Sequence, residues 1–190
     1  FILVNYKTKI SPLKLAYERD EKMNQRLGKQ TVRLENPPCI IETAATVGKK
    51  EGEGPLAGYF DEVLTDDRLG CDSWESAESK IQHNTAIRLL QKCGLKTQDI
   101  NYILAGDLIN QCTSTHYGIR ELNIPFYGLY GACSTMIESL SIGSMMIGGG
   151  FADKIMCMTS SHFCSAERQF RNPLEYGSQR APSAQWTVTG

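Results

Sequence analysis

The chain has 190 residues, of which 41% are hydrophobic and 22% are charged, so it has enough apolar residues for a core and disorder is not expected. Its 20 basic and 21 acidic residues give a net charge of −1, which argues against a nucleic-acid-binding surface. The seven cysteines are scattered without a CxxC pair. This pattern argues against a zinc site of the usual spacing and indicates reduced thiols in an intracellular compartment.

The first 22 residues differ from the rest of the chain. They form a polar, lysine-bearing stretch with weak periodicity, and Met23 after them precedes NQRLGKQTVRLENPP, which would make a natural protein start. We therefore expect residues 1–22 to be a leader or upstream sequence that contributes nothing to the fold, and residues 23–190 to form the structured body. The alternative is an amphipathic extension that belongs to the protein.

Predicted strands and helices alternate along the chain after that stretch. Ser73 as N-cap and Gly94 as C-cap enclose a helix over 76–93. An apolar strand over 126–130, a tight turn at Gly131 and a helix over 134–147 follow later. The other predicted elements are strands over 39–47, 102–105 and 154–160, a helix over 115–122, a long loop over 48–74 and a polar loop over 162–190. This alternation predicts an α/β fold with a largely parallel sheet.

Cys133 lies at the first turn of the helix predicted over 134–147. Free backbone N–H groups and the positive end of the helix dipole gather there and stabilise a thiolate, so Cys133 and the adjoining Ser134 are candidate site residues. The alternative is a buried, inert cysteine. The helix has one charged residue, Glu138, and its small residues would let it pack closely against a copy of itself or against a sheet.

Three further candidates follow the ends of predicted strands. Asp107 and Asn110 come after the strand at 102–105, and His162 comes after the strand at 154–160. Ligands bind beyond the carboxyl ends of strands in open parallel sheets, which favours a pocket position. Ordinary turn formation is the alternative for Asp107 and Asn110, and capping of the strand end is the alternative for His162.

Four segments together carry a family resemblance: AGDLINQ at 105–111, GACSTM at 131–136, TSSH at 159–162 and AERQFRNPLEYGSQRAPSAQWTVTG at 166–190. GACS is shared widely among ketoacyl synthases and thiolases, whereas AGDLINQ and AERQFRNPLEYG are more specific. From about Met23 to Gly190 the chain resembles the stage V sporulation protein AD family, within the thiolase-like superfamily. The resemblance implies a five-layered αβαβα architecture of two similar halves, of which this chain covers the amino-terminal one.

The resemblance also implies a function. The family is expected to bind dipicolinic acid, without a metal or another cofactor, together with the other proteins of a channel in the spore inner membrane. The protein would then act in dipicolinate uptake during sporulation and release during germination, first in the cytoplasm of the forming cell and then peripherally at that membrane. A homodimer is a further expected partnership. The alternative is a thiolase-like acyltransferase that forms an acyl-cysteine at Cys133.

A dicarboxylate ligand suggests two more site residues in the carboxyl-terminal segment. Its carboxylates favour a guanidinium that makes two parallel hydrogen bonds, and Arg168 is the candidate beside Arg171 and Arg180. Tyr176, or else Phe170, offers a ring for stacking on the pyridine. Solvated arginines and plain loop packing are the alternatives.

Overall fold

The computed structural model describes residues 2–5 and 25–170. This part of the chain contains nine strands and five α-helices. The strands are β1 (Ile2–Asn5), β2 (Gln25–Leu27), β3 (Thr31–Arg33), β4 (Cys39–Thr43), β5 (Thr46–Val47), β6 (Glu62–Val63), β7 (Tyr102–Gly106), β8 (Phe126–Gly128) and β9 (Lys154–Thr159). The helices are α1 (Lys49–Gly52), α2 (Trp74–Cys93), α3 (Thr113–Ile119), α4 (Thr135–Gly148) and α5 (Phe163–Phe170).

Five of these strands form the main sheet, in the order β4-β1-β9-β7-β8. The pairs β7–β8 and β7–β9 are parallel, whereas β1 is antiparallel to both of its neighbours. Strand β4 therefore runs in the same direction as β7, β8 and β9, and the predicted α/β fold with a largely parallel sheet is confirmed. Strands β2 and β3 form a separate antiparallel pair, and β5 and β6 form a short parallel pair.

Strand β1 is a finding that the sequence pattern did not predict. Ile2 lies opposite both Thr43 of β4 and Cys157 of β9, so β1 has a partner on each side. Ile2–Asn5 thus takes part in the fold, contrary to the expectation that residues 1–22 contribute nothing to it. The division of the chain at residue 22 stays a prediction.

Helices cover both faces of the sheet. Neighbouring residues of a strand point to opposite faces, so each central strand contributes side chains to two separate clusters. Ile103 and Ala105 of β7 join Leu89 of α2 and Ile119 of α3 in one buried cluster. Leu104, between them, joins a second cluster beneath α4. The second cluster also contains Ile147, Ala152, Ile155 and Cys157. The structure therefore has helices on either side of one sheet, and the five-layered thiolase-like arrangement stays a prediction.

Several predicted boundaries are confirmed and others are corrected. Helix α2 begins after Ser73, whose side chain accepts from the Ser76 backbone N–H at 3.1 Å, and it ends at Gly94 in the left-handed conformation (φ 64°). The strand predicted over 39–47 is two strands with a break at residues 44–45, and the loop predicted over 48–74 contains α1 and β6. The polar loop predicted from residue 162 is wrong over Phe163–Phe170, which is helix α5.

The turn before α4 also differs from the prediction. Gly131 has an ordinary backbone conformation (φ −100°), whereas Ala132 adopts the left-handed one (φ 48°). A methyl group at Gly131 would meet the Ser134 hydroxyl at 2.7 Å and also the Glu138 carboxylate, and both are ends of side chains that would have to shift. Helix α4 is only partly buried, since Ile137 and Met145 are 66% and 48% exposed.

Candidate functional site

A polar stripe on the buried face of α2 is the starting point of the site. Glu78, Gln82 and Thr85 are spaced four and three residues apart, so they share one face of the helix, and each is at most 1% exposed. Buried polar groups require hydrogen-bond partners. The partners of Glu78 and Gln82 are Ser160, which follows β9, Thr115 of α3 and Ser165 of α5, so these bonds join α2 to the carboxyl end of β9 and to two other helices.

Glu78 is the most deeply placed acid of this stripe. Its two carboxylate oxygens accept hydrogen bonds from Ser160 Oγ at 2.6 Å and from Ser165 Oγ at 2.5 Å. Burial raises the pKa of Glu78 because it disfavours the charged form, and the two hydroxyl groups only partly offset this effect. Ser165 also lies 3.0 Å from the His162 carbonyl oxygen, so its proton has two alternative acceptors.

Gln82 links Glu78 to the end of β7. Its Nε2 donates to Ser160 Oγ at 2.5 Å and to Thr115 Oγ1 at 3.1 Å. Thr115 in turn donates its backbone N–H and its hydroxyl to Asp107, at 2.8 and 2.5 Å. One hydrogen-bonded chain therefore runs from Asp107 to Ser165 beneath the edge of the sheet. Within the described part of the molecule, Gln82 Oε1 is buried without a hydrogen-bond partner.

His162 lies at the other end of this chain and is 8% exposed. Its Nε2 is 2.7 Å from the Asp67 carbonyl oxygen, and its Nδ1 accepts from the Cys164 backbone N–H at 3.2 Å. A proton on Nε2 satisfies both contacts. The ring centroid lies 5.4 Å from that of Trp74. These contacts hold the loop after β9 in place, which agrees with the capping interpretation of His162.

Asp107 and Asn110 have the contacts of turn residues. Asp107 is 1% exposed, and its Oδ1 accepts from the Ile109 backbone N–H at 2.7 Å. With its two bonds to Thr115 it holds the first turn of α3. Asn110 is exposed, and its carbonyl oxygen accepts from Thr113 Oγ1 at 2.7 Å. A ligand contact of either residue stays a prediction.

A cavity of about 550 Å³ opens beside Glu78 and the loop after β9. Its apolar wall consists of Val47, Phe60, Leu64, Ile81 and Phe163. The polar lining consists of Thr46, Glu51, Asp67, Glu78, Thr159, Ser160, Ser161 and His162. The size is that of a small-molecule site. Of the predicted site residues, His162 lines this cavity, whereas Cys133, Asp107 and Asn110 do not.

Cys133 lies in a different place. It belongs to the turn Ala132–Ser134 that leads into α4, and it is a free, exposed residue, so the alternative of a buried cysteine is wrong, whereas its reactivity stays a prediction. Ser134 donates its backbone N–H and its hydroxyl to the Gly131 carbonyl oxygen, at 3.0 and 2.7 Å. Thr135 donates its backbone N–H to the Ala132 carbonyl oxygen. Two of the N–H groups expected to be free are therefore already bonded within the turn.

Gly106 separates the Cys133 turn from the buried polar chain. A methyl group on Gly106 would collide with the Leu129 carbonyl oxygen and would approach Thr135 Cγ2 to 3.0 Å, both on the Cys133 side. The carbonyl oxygen of Gly106 accepts from the Ser160 backbone N–H at 3.2 Å, on the side of the polar chain. The end of β7 thus touches both regions, which lie back to back across it.

The remaining predicted site residues have side chains outside the described part of the chain. Arg168 is in α5, but its side chain is outside the described part of the chain, as are Arg171, Tyr176 and Arg180. Among the described residues, no three His, Cys, Asp or Glu side chains are grouped so as to hold a metal ion. No helix in that same part of the chain has the length and apolar character needed to cross a bilayer.

Glu78, Gln82 and Ser165 were not predicted as site residues. The signal that could have found them is the polar stripe itself, because Glu78, Gln82 and Thr85 recur at helical spacing beside the apolar positions of α2. Such a stripe requires a polar partner across the helix interface. Ser160 was visible in the segment TSSH, but no local pattern shows that its hydroxyl lies on Glu78.

Comparison with known proteins assigns the chain to a family. The family model for stage V sporulation protein AD matches residues 28–190. The chain is 44% identical over 163 residues to stage V sporulation protein AD of Bacillus subtilis (strain 168), which covers 86% of this chain and 48% of the relative. The chain therefore spans about half the length of that curated relative. On both findings, the chain belongs to the stage V sporulation protein AD family.

Proposed function

We propose that the protein containing this chain binds dipicolinic acid and acts in its uptake during sporulation and its release during germination. The other proteins of the spore inner-membrane channel would be its partners, and it would associate with that membrane peripherally, through them. The observation that carries the proposal is the family match over residues 28–190. The thiolase-like arrangement of two halves is part of the same proposal.

The proposed ligand contact is the turn at Cys133. The side chain is exposed, and α4 directs the positive end of its dipole towards this turn. Since Ser134 and Thr135 have bonded N–H groups, the N–H groups of Ala132 and Cys133 are the donors left at this turn among the residues that the structure describes. Dipicolinate is planar and dianionic at neutral pH, so it also requires cationic partners, for which Arg168 is the candidate.

Calorimetric titration of the natural protein with dipicolinate tests this proposal. Cys133→Trp should abolish binding by filling the space, whereas Cys133→Ala should weaken it only a few-fold because the backbone donors remain. Cys39→Trp is the matched control, since Cys39 is also exposed but lies in β4. Unchanged binding by folded Cys133→Trp would contradict a site at Cys133, and absence of binding by the parent would contradict the function.

Glu138 gives a complementary variant that should strengthen binding. Its carboxylate lies beside Gly131, within the turn that the ligand would contact, and Oε2 is buried without a hydrogen-bond partner in the described residues. This negative charge opposes a dianion. Glu138→Gln should therefore raise the dipicolinate affinity several-fold, and lower affinity in that variant would count against an anion site at the turn.

The second candidate function is a thiolase-like acyltransferase, which the exposed, free thiol of Cys133 favours. In that case Cys133 would attack an acyl thioester, form a new acyl–cysteine thioester and release the original thiol. Incubation with acyl thioesters followed by mass spectrometry would detect the adduct. An acyl group trapped on Cys133, together with no dipicolinate binding, would place this function first.

A further inference from the structure

The cavity of about 550 Å³ is bounded by apolar side chains that come from separate parts of the chain. Val47 belongs to β5, Phe60 and Leu64 lie on either side of β6, Ile81 belongs to α2 and Phe163 to α5. The first four are half-buried, and Phe163 is 40% exposed. These five side chains therefore converge on a space that the described residues leave unfilled, and a guest there would gain the packing contacts that they lack.

Several polar groups of the lining are already engaged. Both oxygens of Glu78 accept from serine hydroxyl groups, at 2.6 and 2.5 Å. Both ring nitrogens of His162 contact backbone groups, at 2.7 and 3.2 Å. Thr46 Oγ1 lies 2.8 Å from Thr85 Oγ1 and 3.4 Å from Glu62 Oε2. A guest therefore gains most from the apolar wall and does not have to reach the carboxylate of Glu78.

The charges of the lining oppose a charged guest. Three of the lining residues are acids, namely Glu51, Asp67 and Glu78, and neither lysine nor arginine is among them, so an anion would meet repulsion without a compensating cation. A cation would lose hydration against the apolar wall. Glu51 and Asp67 are in contact with solvent, where an ion pair contributes little. An uncharged guest avoids all of these costs.

We propose that this cavity is a binding site for an uncharged, largely apolar compound of about two fused rings, held by contact with Phe60, Leu64 and Phe163. The volume lies in the range of small-molecule sites and accommodates a guest of that size. The site is separate from the Cys133 turn, since Cys133 does not line the cavity. It does not rest on dipicolinate binding.

Three probes with one ring system and different charge test the proposal: 2-naphthol, 2-naphthoate and 2-naphthylmethylammonium, each titrated calorimetrically into the natural protein at pH 7. The first is uncharged at this pH, the second is an anion and the third is a cation. The uncharged 2-naphthol should bind, and each charged probe should bind about tenfold more weakly or less tightly still. No binding of 2-naphthol, or equal binding of either charged probe, would overturn the proposal.

A variant that fills the cavity locates the site. Leu64→Trp changes no charge and places a larger side chain in the cavity, so it should abolish binding of 2-naphthol. Leu56→Trp is the matched control, because Leu56 is 55% exposed and does not line the cavity, and its affinity for 2-naphthol should equal that of the parent. Unchanged 2-naphthol affinity in folded Leu64→Trp would overturn the proposal.

A second variant keeps the test decisive if Leu64→Trp does not fold. Phe163 is 40% exposed, so Phe163→Ala should fold normally, and it should weaken 2-naphthol several-fold because an aromatic contact of the wall is lost. Phe151→Ala removes a ring that is 74% exposed and outside the lining, and it should leave the affinity unchanged. Equal 2-naphthol affinity of these two variants would overturn the proposal.

Discussion

The Cys133 turn and the Glu78 chain are neighbours across Gly106, but they are built in opposite ways. At the turn, an exposed thiol stands on a short run of backbone hydrogen bonds. Around Glu78, side chains bond to one another in a buried network that joins α2, α3 and the loop after β9. An exposed turn can meet a partner or ligand without rearrangement, whereas the polar groups of a buried network are already bonded to one another.

This contrast matters for how the family motif is interpreted. The GACS motif contains Cys133, which is exposed and does not line the cavity of about 550 Å³. That cavity lies instead beside His162, and its lining includes the acids Glu51, Asp67 and Glu78. The Cys133 turn and the cavity are therefore two different places, and the predictions that follow test whether the two regions behave independently.

The largest expected effect is that of Leu104→Ala. Leu104 is fully buried and packs with Ile147 and Ile155 beneath α4, so its truncation should cost about 2–5 kcal/mol of the free energy of unfolding. Urea titration measures the loss, and hydrogen exchange should show α4 loosened more than α2. Met145→Ala, at a half-exposed position of α4, should stay within about 0.5 kcal/mol. A Leu104→Ala loss as small as that of Met145→Ala would contradict the assigned core.

Gly106→Ala should have the next largest effect and should disturb both regions. The added methyl group collides with the Leu129 carbonyl oxygen, and backbone atoms cannot move aside as a side-chain end can. We expect a loss of about 1–3 kcal/mol by thermal or urea unfolding. Gly58→Ala is the control, since an added Cβ there meets nothing within 4 Å. Equal stability of the two variants would show that the end of β7 does not hold the regions together.

Glu78→Gln should affect the pH dependence of the free energy of unfolding more than its magnitude at any one pH. Since burial raises the pKa of Glu78 above 4.5, the folded state holds this proton more tightly than the unfolded state does. The parent should therefore lose stability as the pH rises from about 4.5 through the raised pKa, and the variant should lack that loss. Urea unfolding at a series of pH values checks this. A parent that keeps or gains stability relative to the variant as the pH rises would contradict the sign.

Much of the fold follows from local signals. The caps at Ser73 and Gly94 define α2, and the apolar runs at β7 and β9 define strands buried on both faces. Strand β1 was missed because four residues carry little periodic information, and its place depends on partners at residues 39–43 and 154–157. Helix α5 was missed because its polar composition resembles that of a loop.

The site was less predictable than the fold. Cys133 could be placed at a helix start from its glycine turn alone, since that arrangement is local. The contact between Glu78 and Ser160 joins residues 82 apart, and it exists only after α2 packs on the sheet edge. Asp107 shows the reverse case, since its position after a strand suggested a ligand contact, but its carboxylate is engaged by Ile109 and Thr115.

The rate of alkylation of each cysteine, with and without dipicolinate, tests the central claim most directly. Peptide mass spectrometry separates Cys133 from Cys39, which is also exposed and serves as the internal reference. Cys157 should stay unlabelled, because it is buried and burial raises its pKa to about 11. We expect dipicolinate to slow alkylation of Cys133 and to leave Cys39 unchanged. Equal slowing of both, or no slowing of Cys133 at saturating dipicolinate, would contradict a ligand site at the start of α4.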